Sequence, residues 1–330
     1  MELIDGFNPL SVERAVTILK TGGLVAFPTE TVYGLGADAL NPYAVAKIFE
    51  TKKRPRFDPL IVHLGEKEWV EQYVEYIPAV AEDLIDKFWP GPLTIIFQKQ
   101  RVIPDIVTAG LKTIGLRMPS HPVALNLIRS FHGPIAAPSA NPFGYMSPTK
   151  AFHVARMFKN REVTILDGGD STYGIESTIV SIQNSIICVH RHGAICMEEL
   201  SRIGHVIEQV EKKGICGAPG ELPYHYAPHK PLKIIDSTHE IEVANSSFLA
   251  FKKPPHPVST KYMLWLSKSG DIGEAAANFF SYLIELDRED IDIIYAERIP
   301  EAGLGKAMME RLKKASKKYR SINIDKSKIL

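Results

Sequence analysis

Short apolar runs alternate with stretches whose apolar positions recur every three or four residues, and that alternation organises the chain. Val12, Ala15, Val16, Ile18 and Leu19 predict a helix with Ser11 as N-cap and Gly22-Gly23 as its stop. Leu24 to Phe27 reads as a buried strand. Asn41-Pro42 pairs an N-cap with Pro at the first helical position and opens a helix to about Thr51. Strands follow at Leu60–Leu64, Leu93–Gln98, Thr113–Arg117, Pro134–Ala137, Val163–Leu166, Thr178–Ile182 and Ile186–Val189. Helices are predicted over Pro78–Trp89 and His121–Phe131. The last two strands flank Asn184, a hairpin signal, so the predicted sheet is mixed.

The pattern breaks at 211–231, which holds four Pro and three Gly and has no apolar period. It predicts a linker, unusual for a tether in its Tyr and His content. A second α/β unit follows, with strands near Leu232–Ile235, Phe248–Phe251, Met263–Leu266 and Ile291–Tyr295. Helices over Glu274–Asp287 and Leu304–Lys318 flank its last strand. The expected organisation is an α/β domain over 1–208, a linker over 209–231 and a smaller C-terminal α/β domain over 232–330.

Composition narrows the function classes. The 330 residues are 45% hydrophobic and 23% charged with a formal net charge of +1. That balance argues against a dominant nucleic-acid footprint. Cys188, Cys196 and Cys216 form no C-x-x-C pair, which argues against a disulfide scaffold or a four-ligand zinc site. No run approaches the length of a membrane helix and the N-terminus has no secretory pattern, so a reducing cytoplasm is expected.

Polar residues gather where the apolar runs end. Thr29-Glu30-Thr31-Val32-Tyr33-Gly34 follows the strand ending at Phe27, and Lys52-Lys53-Arg54-Pro55-Arg56 precedes the run at Leu60. The basic run leads straight into a buried strand, so its cations are expected at a sheet edge. Arg117 lies in an otherwise apolar strand and needs an anionic partner, either an internal carboxylate or a ligand. Ser139-Ala-Asn141, Ser147, Ser177 and Arg191 add hydroxyls, an amide and a further cation. Gly34-x-Gly-x-x-Ala39 formally matches a dinucleotide fingerprint, but the helix signal comes later, at Asn41-Pro42. Gly303-Leu-Gly-Lys306 lacks Walker A spacing, and no G-x-S-x-G or H-E-x-x-H is present. The set Lys52, Arg54, Arg117 and Arg191, with Thr31, Ser139, Ser147 and Ser177, describes a site that binds, orients and stabilises charge.

Taken in order, these segments resemble the YrdC/Sua5 family across roughly residues 8–205. Ala218-Pro-Gly220, His225-Tyr-Ala-Pro228 and Pro300–Leu312 resemble its longer, Sua5-type members. The resemblance implies a YrdC-like mixed twisted sheet with flanking helices, plus the smaller C-terminal domain. The implied reaction joins ATP, L-threonine and bicarbonate into L-threonylcarbamoyl-AMP and pyrophosphate. It is the first step of tRNA t6A modification, and its product passes to a tRNA threonylcarbamoyl transferase machinery. Mg2+ is expected through the ATP phosphates. By matching position, L-threonine falls to Thr31, His63, Arg117, Ala137 (backbone) and Ser177. ATP falls to Lys52, Arg54, Asp58, Thr113, Ser139, Asn141, Ser147, Arg191 and His225, with Lys52 and Arg54 as the catalytic cations. Asp58 stands where the family commonly has Asn, and Lys53 where a small residue is usual. Glu221, Pro223 and Tyr224 depart from the usual linker pattern. Three other readings compete: an RNA-binding module using Lys52–Arg56 and Lys313–Arg320, carbamoyl transfer as in multidomain hydrogenase-maturation proteins, and a C-terminal domain serving only as an interaction surface.

Overall fold

A computed structural model of the chain describes residues 2–209 and 225–326. Of the expected linker, positions 210–224 lie outside the described residues, with Cys216 and the departures at Glu221, Pro223 and Tyr224. Two compact units are present. The first comprises 1–143, 148–172 and 176–221; the second comprises 144–147, 173–175 and 222–330. Two short segments from the first part of the chain thus group with the C-terminal unit.

The first unit runs β1 (Glu2–Asp5), α1 (Pro9–Lys20), β2 (Val25–Phe27), β3 (Gly34–Asp38), α2 (Pro42–Lys52), β4 (Ile61–His63), α3 (Ala79–Phe88) and β5 (Leu93–Gln98). It continues through β6 (Thr113–Arg117), α4 (Pro122–Phe131), β7 (Ile135–Ala136), α5 (Ala151–Met157), β8 (Thr164–Asp167), β9 (Thr178–Gln183), β10 (Ile186–Arg191), α6 (Met197–Leu200) and β11 (Val206–Glu208). Its strands form one mixed sheet in the order β1-β8-β2-β3-β7-β4-β6-β5-β9-β10-β11.

Helix α1 starts two residues before the expected cap. Asn8 accepts from the Leu10 N–H and Pro9 takes the first turn, the same Asn-Pro device that opens α2. Segment 34–38 is strand β3, paired antiparallel with both β2 and β7, which rules out a phosphate-cradling turn before a helix. The β9–β10 hairpin turns through Asn184 and Ser185, both with positive φ. Strand β4 lies inside the sheet, between β7 and β6. The basic run therefore meets the end of an interior strand, which corrects the expected sheet-edge position.

Alternation along the central strands assigns the two faces. Val62, Leu116, Ile95 and Val180 point into the main core, with Ala44, Val45 and Ile48 of α2 and Leu84 and Ile85 of α3. On the opposite face, α1 and α4 pack over Val25, Phe27, Ile135 and Leu166. Beyond that helical layer, the same face of β4, β5 and β9 carries a small apolar cluster of Ile61, Ile179 and Ile96. The functional side chains gather there.

In the second unit, β12 (Leu232–Ile235), β13 (Ser246–Lys252), β14 (Tyr262–Ser267) and β15 (Ile293–Glu297) form an all-parallel sheet in the order β12-β15-β13-β14. Helices α7 (Ile272–Leu286) and α8 (Leu304–Lys326) pack on it and on each other. Asp287 closes α7 with a wholly buried carboxylate. It accepts from Tyr145 Oη at 2.7 Å, the His229 N–H at 2.9 Å, His229 Nδ1 at 2.8 Å and the Lys230 N–H at 3.0 Å. These bonds outweigh burial and hold its carboxyl below the usual range. Among the described residues, no helix is long and apolar enough to cross a membrane.

Candidate active site

Strands β4 and β6 are parallel, with His63 opposite Arg117 and Ile61 opposite Gly115. Thr113, Gly115 and Arg117 share one face of β6 by alternation. The loop between β2 and β3 folds onto this strand end. Thr29 Oγ bonds Thr31 Oγ at 2.8 Å and donates to the Val32 carbonyl at 2.6 Å, which shapes the turn.

Arg117 clamps that loop. Its Nη1 donates to Thr31 Oγ at 2.9 Å, its Nη2 to Glu30 Oε1 at 2.6 Å, and its Nε to the Gly91 carbonyl at 3.2 Å. The Arg117 and Glu30 side chains are 4% and 5% exposed. The anion required by Arg117 is therefore an internal carboxylate. His63 is buried beside it, edge-on to Phe27 with ring centroids 6.1 Å apart. Burial, and then the Arg117 charge, push its pKa down to about 3, so the imidazole is neutral. Its Nδ1 is buried with no hydrogen-bond partner among the described residues. Ala137 follows β7, and its N–H is taken by the Ile61 carbonyl at 2.9 Å. A backbone contact at Ala137 therefore falls to its own carbonyl.

A second group is built on the end of α2. Lys52 Nζ donates to the carbonyls of Ser139 and Asn141, both at 2.5 Å, which fixes the loop after β7 against the helix. Lys53 takes the left-handed C-cap conformation with its side chain exposed, a position that favours small residues. Arg54 then turns inward. Its Nη2 meets Asp58 Oδ1 at 2.8 Å and the Pro59 carbonyl at 2.8 Å, and its Nε donates to the Asp58 carbonyl at 3.1 Å. Arg54 is thus the counter-charge to Asp58. Burial and the Arg54 charge lower the Lys52 pKa, while Asp58 opposes them.

A third group joins β9, β10 and β5. Arg191 Nε and Nη2 fork onto the Ser177 carbonyl at 3.1 and 2.9 Å, and Nη2 also donates to Ser177 Oγ at 3.0 Å. Ser177 Oγ bonds Thr94 Oγ at 2.8 Å. Gly193 permits this arrangement: a Cβ there would lie 2.4 Å from the Glu176 carbonyl oxygen and from the Thr178 nitrogen. Pro59, Ile61, Thr94, Thr113, Gly115 and Ile179 line a small cleft on this face.

The expected residues of the first unit therefore fall into three groups, two at strand ends of the sheet and one at the C-terminal end of α2. Ser147 and His225 belong to the second unit instead, where the His225 ring packs 4.1 Å from that of Tyr226 and Tyr226 lies 5.7 Å from Phe280. Sequence reasoning left Glu30, Thr94, Gly115 and Gly193 out of the site. The Thr113-x-Gly115-x-Arg117 alternation was the available signal for Gly115. Glu30 and Thr94 depend on pairing between distant segments, which no local pattern displays.

Comparisons with known proteins agree over nearly the full length. A family model described as "Telomere recombination" (Sua5, YciO, YrdC) matches residues 17–193. A second, described as "Threonylcarbamoyl-AMP synthase, C-terminal domain", matches 195–317. The threonylcarbamoyl-AMP synthase of Pyrococcus abyssi is 40% identical over 328 residues, covering 95% of this chain and 96% of that protein. The Bacillus subtilis synthase is 39% identical, covering 94% of each. The crystal structure of P. abyssi Sua5 complexed with L-threonine superposes with a TM-score of 0.87 at 36% identity, covering 96% of both chains.

Proposed function

Because the chain belongs to the Sua5/YrdC family, we propose that it is an L-threonylcarbamoyl-AMP synthase, a nucleotidyltransferase that joins ATP, L-threonine and bicarbonate and releases pyrophosphate. The observation that carries this reading is the pairing of His63 with Arg117 on adjacent parallel strand ends, with the Lys52/Arg54 cations at the end of α2 leading into the same strand β4. The full-length likeness to synthases supports it.

L-Threonine takes the Thr31, His63, Arg117, Ala137 and Ser177 side. Three of the five Arg117 N–H groups are engaged, which leaves one on each terminal nitrogen among the described residues. A carboxylate can bridge that pair. ATP takes Lys52, Arg54, Asp58, Thr113, Ser139, Asn141 and Arg191, with the cleft beside Gly115 next to them. The assignment of Ser147 and His225 to ATP rests on the resemblance alone. The threonine amine adds to bicarbonate with loss of water and gives a carbamate. A carbamate oxygen then attacks the α-phosphorus, and pyrophosphate leaves. Lys52, Arg54 and Arg191 orient the phosphates and offset the developing charge, so proximity and electrostatics carry the reaction.

Mg2+ is part of the same proposal. Among the described residues no group of three or more His, Cys, Asp or Glu is placed to hold a metal. The ion is expected on the ATP phosphates, where it would neutralise phosphate charge.

Delivery of the product to a tRNA-modifying transferase in the cytoplasm completes the reading. The RNA-binding alternative loses its main feature, because Lys52 and Arg54 are buried and of that run only Lys53 and Arg56 are exposed. Calorimetric titration with L-threonine and with ATP–Mg2+ tests the assignment. Each should bind the wild-type protein, and Arg117→Ala should abolish the threonine isotherm while ATP still binds. Loss of both isotherms in a folded variant, or of neither, contradicts it.

A further inference from the structure

Arg117 meets its counter-charge inside the protein, at Glu30. Its carboxylate is buried and wholly engaged: Oε1 on Arg117 Nη2 at 2.6 Å, Oε2 on the Ser120 N–H at 3.1 Å. Arg117 and Glu30 cancel, and His63 beside them is neutral. The Arg117 side is therefore charge-balanced when empty.

That balance matters where a site takes both phosphates and an amino acid. A buried guanidinium without a counter-charge attracts any small anion, phosphate included, because Coulomb energies rise as solvent is excluded. We propose that Glu30 is a positioning and charge-balancing residue that keeps the Arg117 subsite neutral, so that it admits a zwitterionic amino acid and turns away inorganic phosphate and the phosphates of the nucleotide. Glu30 touches no substrate in this account. It acts by fixing Arg117 Nη2 and cancelling its charge, and through Arg117 it also holds Thr31 Oγ in place. The inference rests on the assignment of the Arg117 side to L-threonine and deepens it.

The experiment uses the full chain and inorganic phosphate as the probe. The wild-type unfolding midpoint should not respond to phosphate through this subsite, and phosphate should not compete with L-threonine. Glu30→Gln keeps the size and removes the charge. It should gain a phosphate-dependent rise in midpoint that L-threonine reverses, and its threonine KM should rise about tenfold or more while the KM for ATP holds. Glu30→Asp keeps the charge but shortens the reach. It should stay indifferent to phosphate and still bind threonine more weakly. A purely structural brace would lower the midpoint of both variants without a phosphate response or a selective change in threonine KM, and that result overturns the proposal. If Glu30→Gln does not fold, unchanged threonine affinity in Glu30→Asp overturns it as well. Should the wild type itself fail to bind L-threonine, the functional assignment falls instead, and the phosphate response of Glu30→Gln still reads the charge role separately.

Discussion

Asp58→Asn tests the least usual residue of the site. The Arg54–Asp58 pair is 2.8 Å long, and its side chains are 4% and 0% exposed. Removing one charge of such a pair costs about 3–5 kcal/mol, because the remaining ion is left buried and uncompensated. Asparagine keeps an oxygen for the guanidinium, so the low end applies, about 3 kcal/mol. At about 2–4 °C per kcal/mol, the unliganded midpoint should fall by about 6–12 °C. ATP–Mg2+ should then act in the opposite sense. With Asp58 neutral, Lys52 and Arg54 present more positive charge to phosphate, so saturating nucleotide should raise the variant's midpoint further than the wild type's. Thermal unfolding with and without ATP–Mg2+ reads both quantities. Equal nucleotide-induced shifts in the two proteins would refute the placement of phosphate beside this pair.

Other outcomes follow from the same geometry. Buried His63 stays neutral down to about 3, whereas the unfolded chain protonates it near its ordinary 6.5, so the unfolded state holds the extra proton between those values. Stability should therefore fall as pH drops through that window. His63→Gln should flatten the slope by one proton, and an unchanged slope in denaturant titrations contradicts this. Burial drives His153 the same way, to about 4. Gly115→Val places a Cβ 3.2 Å from Thr94 Cγ2 and methyl groups in the cleft, so the KM for ATP should rise about tenfold or more, and an unchanged KM contradicts its placement beside ATP. Gly193→Ala must push back the Glu176–Thr178 backbone, lowering stability by about 1–3 kcal/mol and weakening threonine binding through Ser177. A stable variant with native kinetics would show that this close approach does not matter.

Much of the frame was legible in the sequence because period and punctuation are local. Asn41-Pro42, the strands at Leu93–Gln98 and Thr113–Arg117 and the Asn184 hairpin emerge within a residue or two of their expected bounds. Strand β3 was not legible: Gly34-Leu-Gly-Ala-Asp is a poor strand by propensity and forms through its pairing with β2 and β7. Strand β1 likewise exists through its parallel pairing with β8, far along the chain. The polar residues of the site were visible as types and positions, but their partners were not. That Arg117 would meet Glu30, Arg54 meet Asp58, and Arg191 fork onto Ser177 depends on which strand ends the topology brings together. Arg54 turns inward onto Asp58, and its run meets an interior strand rather than the expected sheet edge.

The most direct test of the central claim is mass spectrometry of the product formed from ATP–Mg2+, L-threonine and carbon-labelled bicarbonate, with pyrophosphate release followed in parallel and each substrate omitted in turn. The account predicts an adenylate with the mass of threonylcarbamoyl-AMP that carries the bicarbonate label, and pyrophosphate release that requires both co-substrates. Pyrophosphate release without threonine, or an adenylate lacking the label, would contradict it.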